Sequence, residues 1–283
     1  YTFYITGGAN AHFTENVTID NTCTSGGIFY IASYKKDTKV TTVVVDDLTL
    51  TNQVTFTTSA TESTGASLFY MLGSGTGKLV VNHATSIGNE CRLLYVTGVD
   101  TRDITINDVE FRDNRSRGAG AIFLITNSSN DTNHVVNING GTYVNNRCIG
   151  ANSTLGAGGI ALIQADAEVN FNGGTFVDNG SNAGEMFSGI VIRGPKKNTL
   201  KSEVNWNIAM DIVVYIQPYN KTTNNAALVI SKPLTNKIKV YDYGIYNGFV
   251  VIKGTDSYKL TEADLAKVEA GFTSATKIYT LAL

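Results

Sequence analysis

The chain has 283 residues, 16% of them charged, and a formal net charge of −2. That balance leaves no basic surface for nucleic acid and no polybasic membrane signal, and no apolar run is long enough to span a bilayer. Thr, Val, Ile, Tyr and Phe abound beside 28 Gly and only 3 Pro, which points to β structure in one large domain or two ordinary ones. Low charge with much Thr, Ser and Asn fits a secreted or cell-surface protein. Because the sequence opens on Tyr1, a signal peptide or preceding domain is expected to have been removed.

In chain order, a block of the form apolar-x-apolar-Asn/Asp first appears as VTID, ending at Asp20. It returns as VVVD at Asp46, LVVN at Asn82, ITIN at Asn107, VNIN at Asn139, VNFN at Asn172 and VNWN at Asn207, at spacings of 26, 36, 25, 32, 33 and 35 residues. A second apolar block follows each one: IFYI from Ile28, LFYM from Leu68, LLYV from Leu93, IFLI from Ile122, IALI from Ile160, IVIR from Ile190 and VVYI from Val213. Each block is a few β-formers bounded by Gly, Asn or Ser, which predicts a short strand with a turn on either side. Strict interleaving of the two predicts a parallel β-helix of about seven or more turns over residues 1–235, stacked at about 4.8 Å. Loops of variable length are then expected, whereas hairpin folds would need regular two-residue turns, which the sequence lacks.

Beyond Trp206 the pattern loosens into LVIS, IKVYDYG and FVVIKG. Residues 236–283 are read as a C-terminal cap covering the open end, with one short helix that starts at Thr261 and stops at Gly271. A separate domain is the alternative.

The ends of the first blocks form a column, Asp20, Asp46, Asn82, Asn107, Asn139, Asn172 and Asn207. Seven residues further on stands a second column, Asn89, Asn114, Asn146 and Asn179. Amides stacked at strand spacing bond along the column and to turn backbone, so both are read as structural ladders. A polar array holding sugars or calcium is the alternative. Cys91 and Cys148 each stand nine residues past a ladder Asn, with Ser116 in the slot between them. A separation of two turns, roughly 9.6 Å, forbids a disulfide. With Cys23 they are read as buried thiols.

Glycoside cleavage needs two carboxylates on one face. Asp46 and Asp47, with Asp20 a turn earlier, come nearest, and Asp47 alone stands clear of the column as a weak catalytic candidate. Arg112, Arg115, Arg117 and Arg147 cluster in loops of adjacent turns and are the ligand-binding candidates, suited to a sulfated or uronic glycan. Solvated loop charge balanced by Asp113 is the alternative. His12, His83 and His134 share no repeat slot, so no metal is expected, and no motif suggests a cofactor. In the second strands, positions 1 and 3 are read as interior. Positions 2 and 4 then place Phe29, Phe69, Leu94 and Phe123 on an apolar outer face, with Arg193 marking it as outer. Such a stripe needs a cover from the loops at 51–67 and 127–135, the tail helix, a partner chain or a neighbouring domain.

The segments FRDN (111–114), YVNN (143–146) and FVDN (176–179), followed by GAGAI, GAGGI and FSGI, resemble the FxxN and GGAI repeats of polymorphic membrane-protein passengers. More broadly they resemble the pectin-lyase-like right-handed β-helix superfamily. The match covers about residues 104–193; the first three turns lack FxxN, and SIGN (86–89) keeps only its Asn. The tail YKLTEADLAKVEAGF (258–272) is similar to endings of surface proteins of gut bacteria. The resemblance implies a right-handed coil and an adhesin-like role on a bacterial surface, with a host or dietary glycan or a surface protein as partner. The expectation is therefore a non-enzymatic, glycan-binding β-helix. A polysaccharide lyase or glycoside hydrolase on the same fold is the first alternative, and a structural stalk the second.

Overall fold

The computed structural model describes residues 2–20, 27–34, 39–51, 66–98, 101–116, 120–126, 134–149, 158–181, 189–193, 202–210, 212–216, 226–230, 238–242, 250–253, 256–259, 269–273 and 276–281. These are all-β, with no helix among the described residues and hence none long and apolar enough to cross a membrane. Arg92–Val96 belongs to sheet A, Arg102–Ile106 to sheet B, Val109–Arg112 to sheet C and Arg115–Ser116 to a short sheet D; the chain then returns to sheet A at Phe123–Thr126. Each strand pairs in parallel with its counterpart one circuit away, as Leu94 does with Phe123 and Ile104 with Val136. The arrangement is consistent with a parallel β-helix.

Parallel pairing in sheet A runs from Phe3–Ile5 to Ile238–Asp242, and in sheet B from Asn10–Phe13 to Val250–Lys253. At that end the direction changes. Thr276–Leu281 pairs antiparallel with Ile238–Asp242 and with Glu269–Thr273, and Asp256–Lys259 pairs antiparallel with Val250–Lys253. The helix expected up to Gly271 is corrected here, because Glu269–Thr273 is a strand. The rest of that segment, 260–268, lies outside the described residues, as do Cys23 and the stretches 52–65 and 127–133.

Sheet B strands alternate strictly. Ile104 and Ile106 point inward with Val136, Ile138, Val169 and Phe171, while Asp103, Thr105 and Glu168 are half-exposed. Sheet A does not alternate in burial, and the expected faces are reversed. Phe29, Phe69, Leu94 and Phe123 form one register column and lie fully buried in the core. Phe29 meets Phe13 of sheet B edge-on at 5.0 Å, and Phe123 meets Phe171 of sheet B at 6.0 Å. The outer column is instead Tyr4, Tyr30, Tyr70, Tyr95, Leu124, Leu162 and Val191. Tyr4 stacks on Tyr30 and Tyr70 on Tyr95, with centroids 4.8 and 4.7 Å apart. Tyr4 is 56% exposed, whereas Val191 is fully covered.

The marker residue misled for a related reason. Ile190 pairs with Ala161, so IVIR starts one position later than IALI, and Arg193 falls beside Gln164, whose Oε1 it meets at 3.1 Å. A slip of one residue exchanges the faces of a strand. Asp20 is also reassigned: it pairs with Thr51 in sheet C, whereas Phe13 is the residue in register with Val45. Thr14 therefore holds the place before which the ladder begins.

Candidate ligand-binding surface

The corner between sheets C and D is built the same way in four circuits. Gly88, Asp113, Asn145 and Asp178 occupy it with φ of 68°, 55°, 52° and 51°, a left-handed conformation that glycine adopts freely and Asn or Asp tolerate. That reversal turns the next residue inward, so Asn89, Asn114, Asn146 and Asn179 are buried. Each Oδ1 accepts the backbone N–H of the ladder residue one circuit back: Asn114 Oδ1 from the Asn89 N–H at 2.9 Å, Asn146 Oδ1 from the Asn114 N–H at 3.1 Å and Asn179 Oδ1 from the Asn146 N–H at 3.0 Å. The Nδ2 atoms donate to the carbonyls of Leu50, Ser86, Phe111 and Tyr143 at 2.8–3.0 Å. A turn that would orphan buried backbone groups is thereby satisfied from within.

After the inward Asn the chain emerges again, and there stand Arg115 and Arg147, in register on adjacent parallel strands of sheet D. Both are strand residues rather than loop residues. Arg112 belongs to a different column, on the outer face of sheet C beside Ile87 and Val144, and its Nε donates to Glu110 Oε1 at 2.6 Å. Ile87 and Val177 there are 50% and 41% exposed. Arg117 lies outside the described residues. Arg147 pairs with Gly180, and a Cβ at Gly180 would overlap its guanidinium, so the missing side chain is what lets Arg147 extend along the column. Asp113 is engaged sideways, accepting from Asn145 Nδ2 at 2.6 Å. Neither Arg115 nor Arg147 forms an ion pair among the described residues. Like charges face each other at about the 4.8 Å strand spacing, an arrangement that costs stability unless an anion neutralises it.

The other column lies on the surface and forms a continuous amide chain. Asn82 Nδ2 donates to Asp46 Oδ1 at 2.8 Å, Asn107 to Asn82 and Asn139 to Asn107 at 2.9 Å, Asn172 to Asn139 at 3.0 Å and Asn207 to Asn172 at 2.8 Å. His12 Nε2 meets the other Asp46 oxygen at 2.7 Å. The Asn82 amide first and His12 second hold the Asp46 carboxyl below its ordinary range. Asp47 is half-buried and its carbonyl accepts the Val17 N–H at 3.1 Å. Among the described residues no group of three His, Cys, Asp or Glu is placed to hold a metal.

A carboxylate pair does occur elsewhere. Glu168 and Glu203 are in register on adjacent strands of sheet B, next to Asn170 and Asn205, which are hydrogen-bonded to each other at 2.7 Å. Sequence reading missed this pair by looking beside the ladder Asp residues. The repeated EVNFN (168–172) and EVNWN (203–207) carried the signal. Cys91 and Cys148 are free, buried thiols, and burial pushes that of Cys91 up to about 12. Ser116 pairs with Cys148 across sheet D.

No protein-family model, curated protein or solved structure matches the chain.

Proposed function

We propose that the protein is a right-handed parallel β-helix of seven or more turns, pectin-lyase-like in design, displayed on a bacterial surface as an adhesin-like binder of anionic glycans. The observation that carries this is the Arg115–Arg147 pair, two cations in register on one face without a carboxylate partner among the described residues. A sulfated or uronic chain lying along the stacking axis would neutralise both and present its apolar edges to Ile87, Val144 and Val177. The antiparallel strands after Asp242 support the reading of the C-terminal region as a cap that closes one end of the rod.

The test is a glycan array paired with an assay for unsaturated or reducing-end products. Binding to sulfated or uronic chains that weakens with salt, without product, is expected. Arg115→Ala and Arg147→Ala should each lose about tenfold in affinity. Gly180→Val should also weaken binding, by displacing the Arg147 guanidinium. Unaltered binding in all three variants would remove this surface from consideration.

The competing enzymatic reading rests on Glu168 and Glu203. Adjacent strands set their backbones about 4.8 Å apart, near the roughly 5–5.5 Å carboxyl separation of retaining glycosidases. Product release abolished by Glu168→Gln would make that reading the correct one.

A further inference from the structure

We infer that Arg102 and His134 form an acid-sensitive latch inside the rod, so that protonation of His134 opens sheet B at this circuit. The two residues start neighbouring strands, Arg102–Ile106 and His134–Ile138, one position before the registered pair Asp103 and Val135. Both occupy inward positions and both are fully buried. Arg102 is held in place by carbonyls at the corner between sheets A and B: Nη2 donates to Gly73 at 2.9 Å, and Nη1 to Gly75 and to Thr101. The guanidinium is thus fixed at the start of its strand. Among the described residues neither ring nitrogen of His134 has a hydrogen-bond partner.

Among the described residues, no side chain in register with His134 is an anion. The strand on its other side contributes Ala167 in register, and the next contributes Ser202, whose hydroxyl donates to the Ala165 carbonyl at 2.6 Å. Glu168 and Asp103 point to the opposite face, where Asp103 faces Lys78 at 3.6 Å. Asp166 meets the histidine through its backbone carbonyl, which accepts the His134 N–H at 2.9 Å. An imidazolium here would lie dry, unbonded and next to a guanidinium, each of which disfavours the charged form. Burial first, and Arg102 second, push the imidazole down to about 3.

The direction of the effect follows. The folded value lies below the unfolded one, so folding is most favourable above about pH 6.5, and this advantage is lost as the pH falls from there toward 3. Within that window each pH unit shifts the local folding equilibrium about tenfold toward the open state.

The experiment is amide hydrogen exchange on the whole chain, corrected for intrinsic rates, following the His134–Ile138 amides at about pH 6.5 and about pH 4.5. Protection should fall about 100-fold more in the native protein than in His134→Leu, which keeps an apolar group and cannot titrate. Equal losses in the two proteins would overturn the inference. If His134→Leu does not fold, ring-resonance titration of the native protein decides: a folded-state imidazole that stays neutral until the strand opens supports the latch, and one that titrates near its ordinary value while folded refutes it.

Discussion

Asn146 shows how much a single side chain does in this molecule. Its Oδ1 accepts from the Asn114 N–H and Nδ2, and its Nδ2 donates to the Phe111 carbonyl at 2.8 Å and to Asn179 Oδ1 at 2.9 Å. Asn146→Ala strands the Phe111 carbonyl and the Asn114 N–H in a dry interior, each costing about 1–3 kcal/mol. A total loss of about 2–4 kcal/mol is expected in denaturant unfolding. Asn146→Asp keeps the acceptor but cannot donate to Phe111, so it should also be destabilising at neutral pH. A variant as stable as the parent would show that the turn satisfies these groups some other way.

At the scale of the strand and the ladder, the sequence was legible where the backbone allows one solution and opaque where it allows two. The buried Asn positions were readable because an amide can both donate and accept along a column at that inward turn. The strands of sheet B were readable from their alternation. The faces of sheet A were not, because both are apolar: Phe29, Phe69 and Leu94 line one and Tyr30, Tyr70 and Tyr95 the other. Periodicity fixes that the faces differ, not which is inside. Of the candidate surface, the arginine cluster was visible as a group, yet among the described residues Arg112 belongs to sheet C while Arg115 and Arg147 share a column in sheet D. The surface ladder makes its own prediction. Every amide donates toward Asp46, so a run of aligned dipoles ends on that carboxylate. In Asn82→Ala the Asp46 carboxyl should titrate closer to its ordinary value, as read by carboxyl NMR. Since its folded value is depressed, the stability it contributes is present above the unfolded value of 3.8 and fades as pH falls through the folded one. No movement of the Asp46 titration in that variant would assign the depression to His12 instead.

For the molecule as a whole, the two ends differ and the middle is a chain of nearest neighbours. At the N-terminal end Phe3, Ile5, Ala11, Phe13 and Val17 pack on the core yet stay partly exposed, while the far end of sheets A and B turns antiparallel. Between them the ladder bonds join each circuit to its neighbours, as Asn146 reaches Phe111 on one side and Asn179 on the other. Stability in such an array is close to a sum of local interactions and interfaces, so damage should stay local. Asn146→Ala is therefore expected to speed amide exchange in Val109–Arg112, Thr142–Val144 and Thr175–Val177 and to leave Thr41–Val45 and Leu48–Thr51 at their original rates. A uniform acceleration would mean that the rod opens as one cooperative unit. In that case the acid response of His134 would reach the Arg115–Arg147 surface directly, because Arg147 lies in the same circuit, His134–Ile138, Thr142–Val144 and Arg147–Cys148 being successive passes through sheets B, C and D. Local exchange would confine that coupling to the neighbouring circuits, and ligand release on acidification would then require the opening to travel only from sheet B to sheet D.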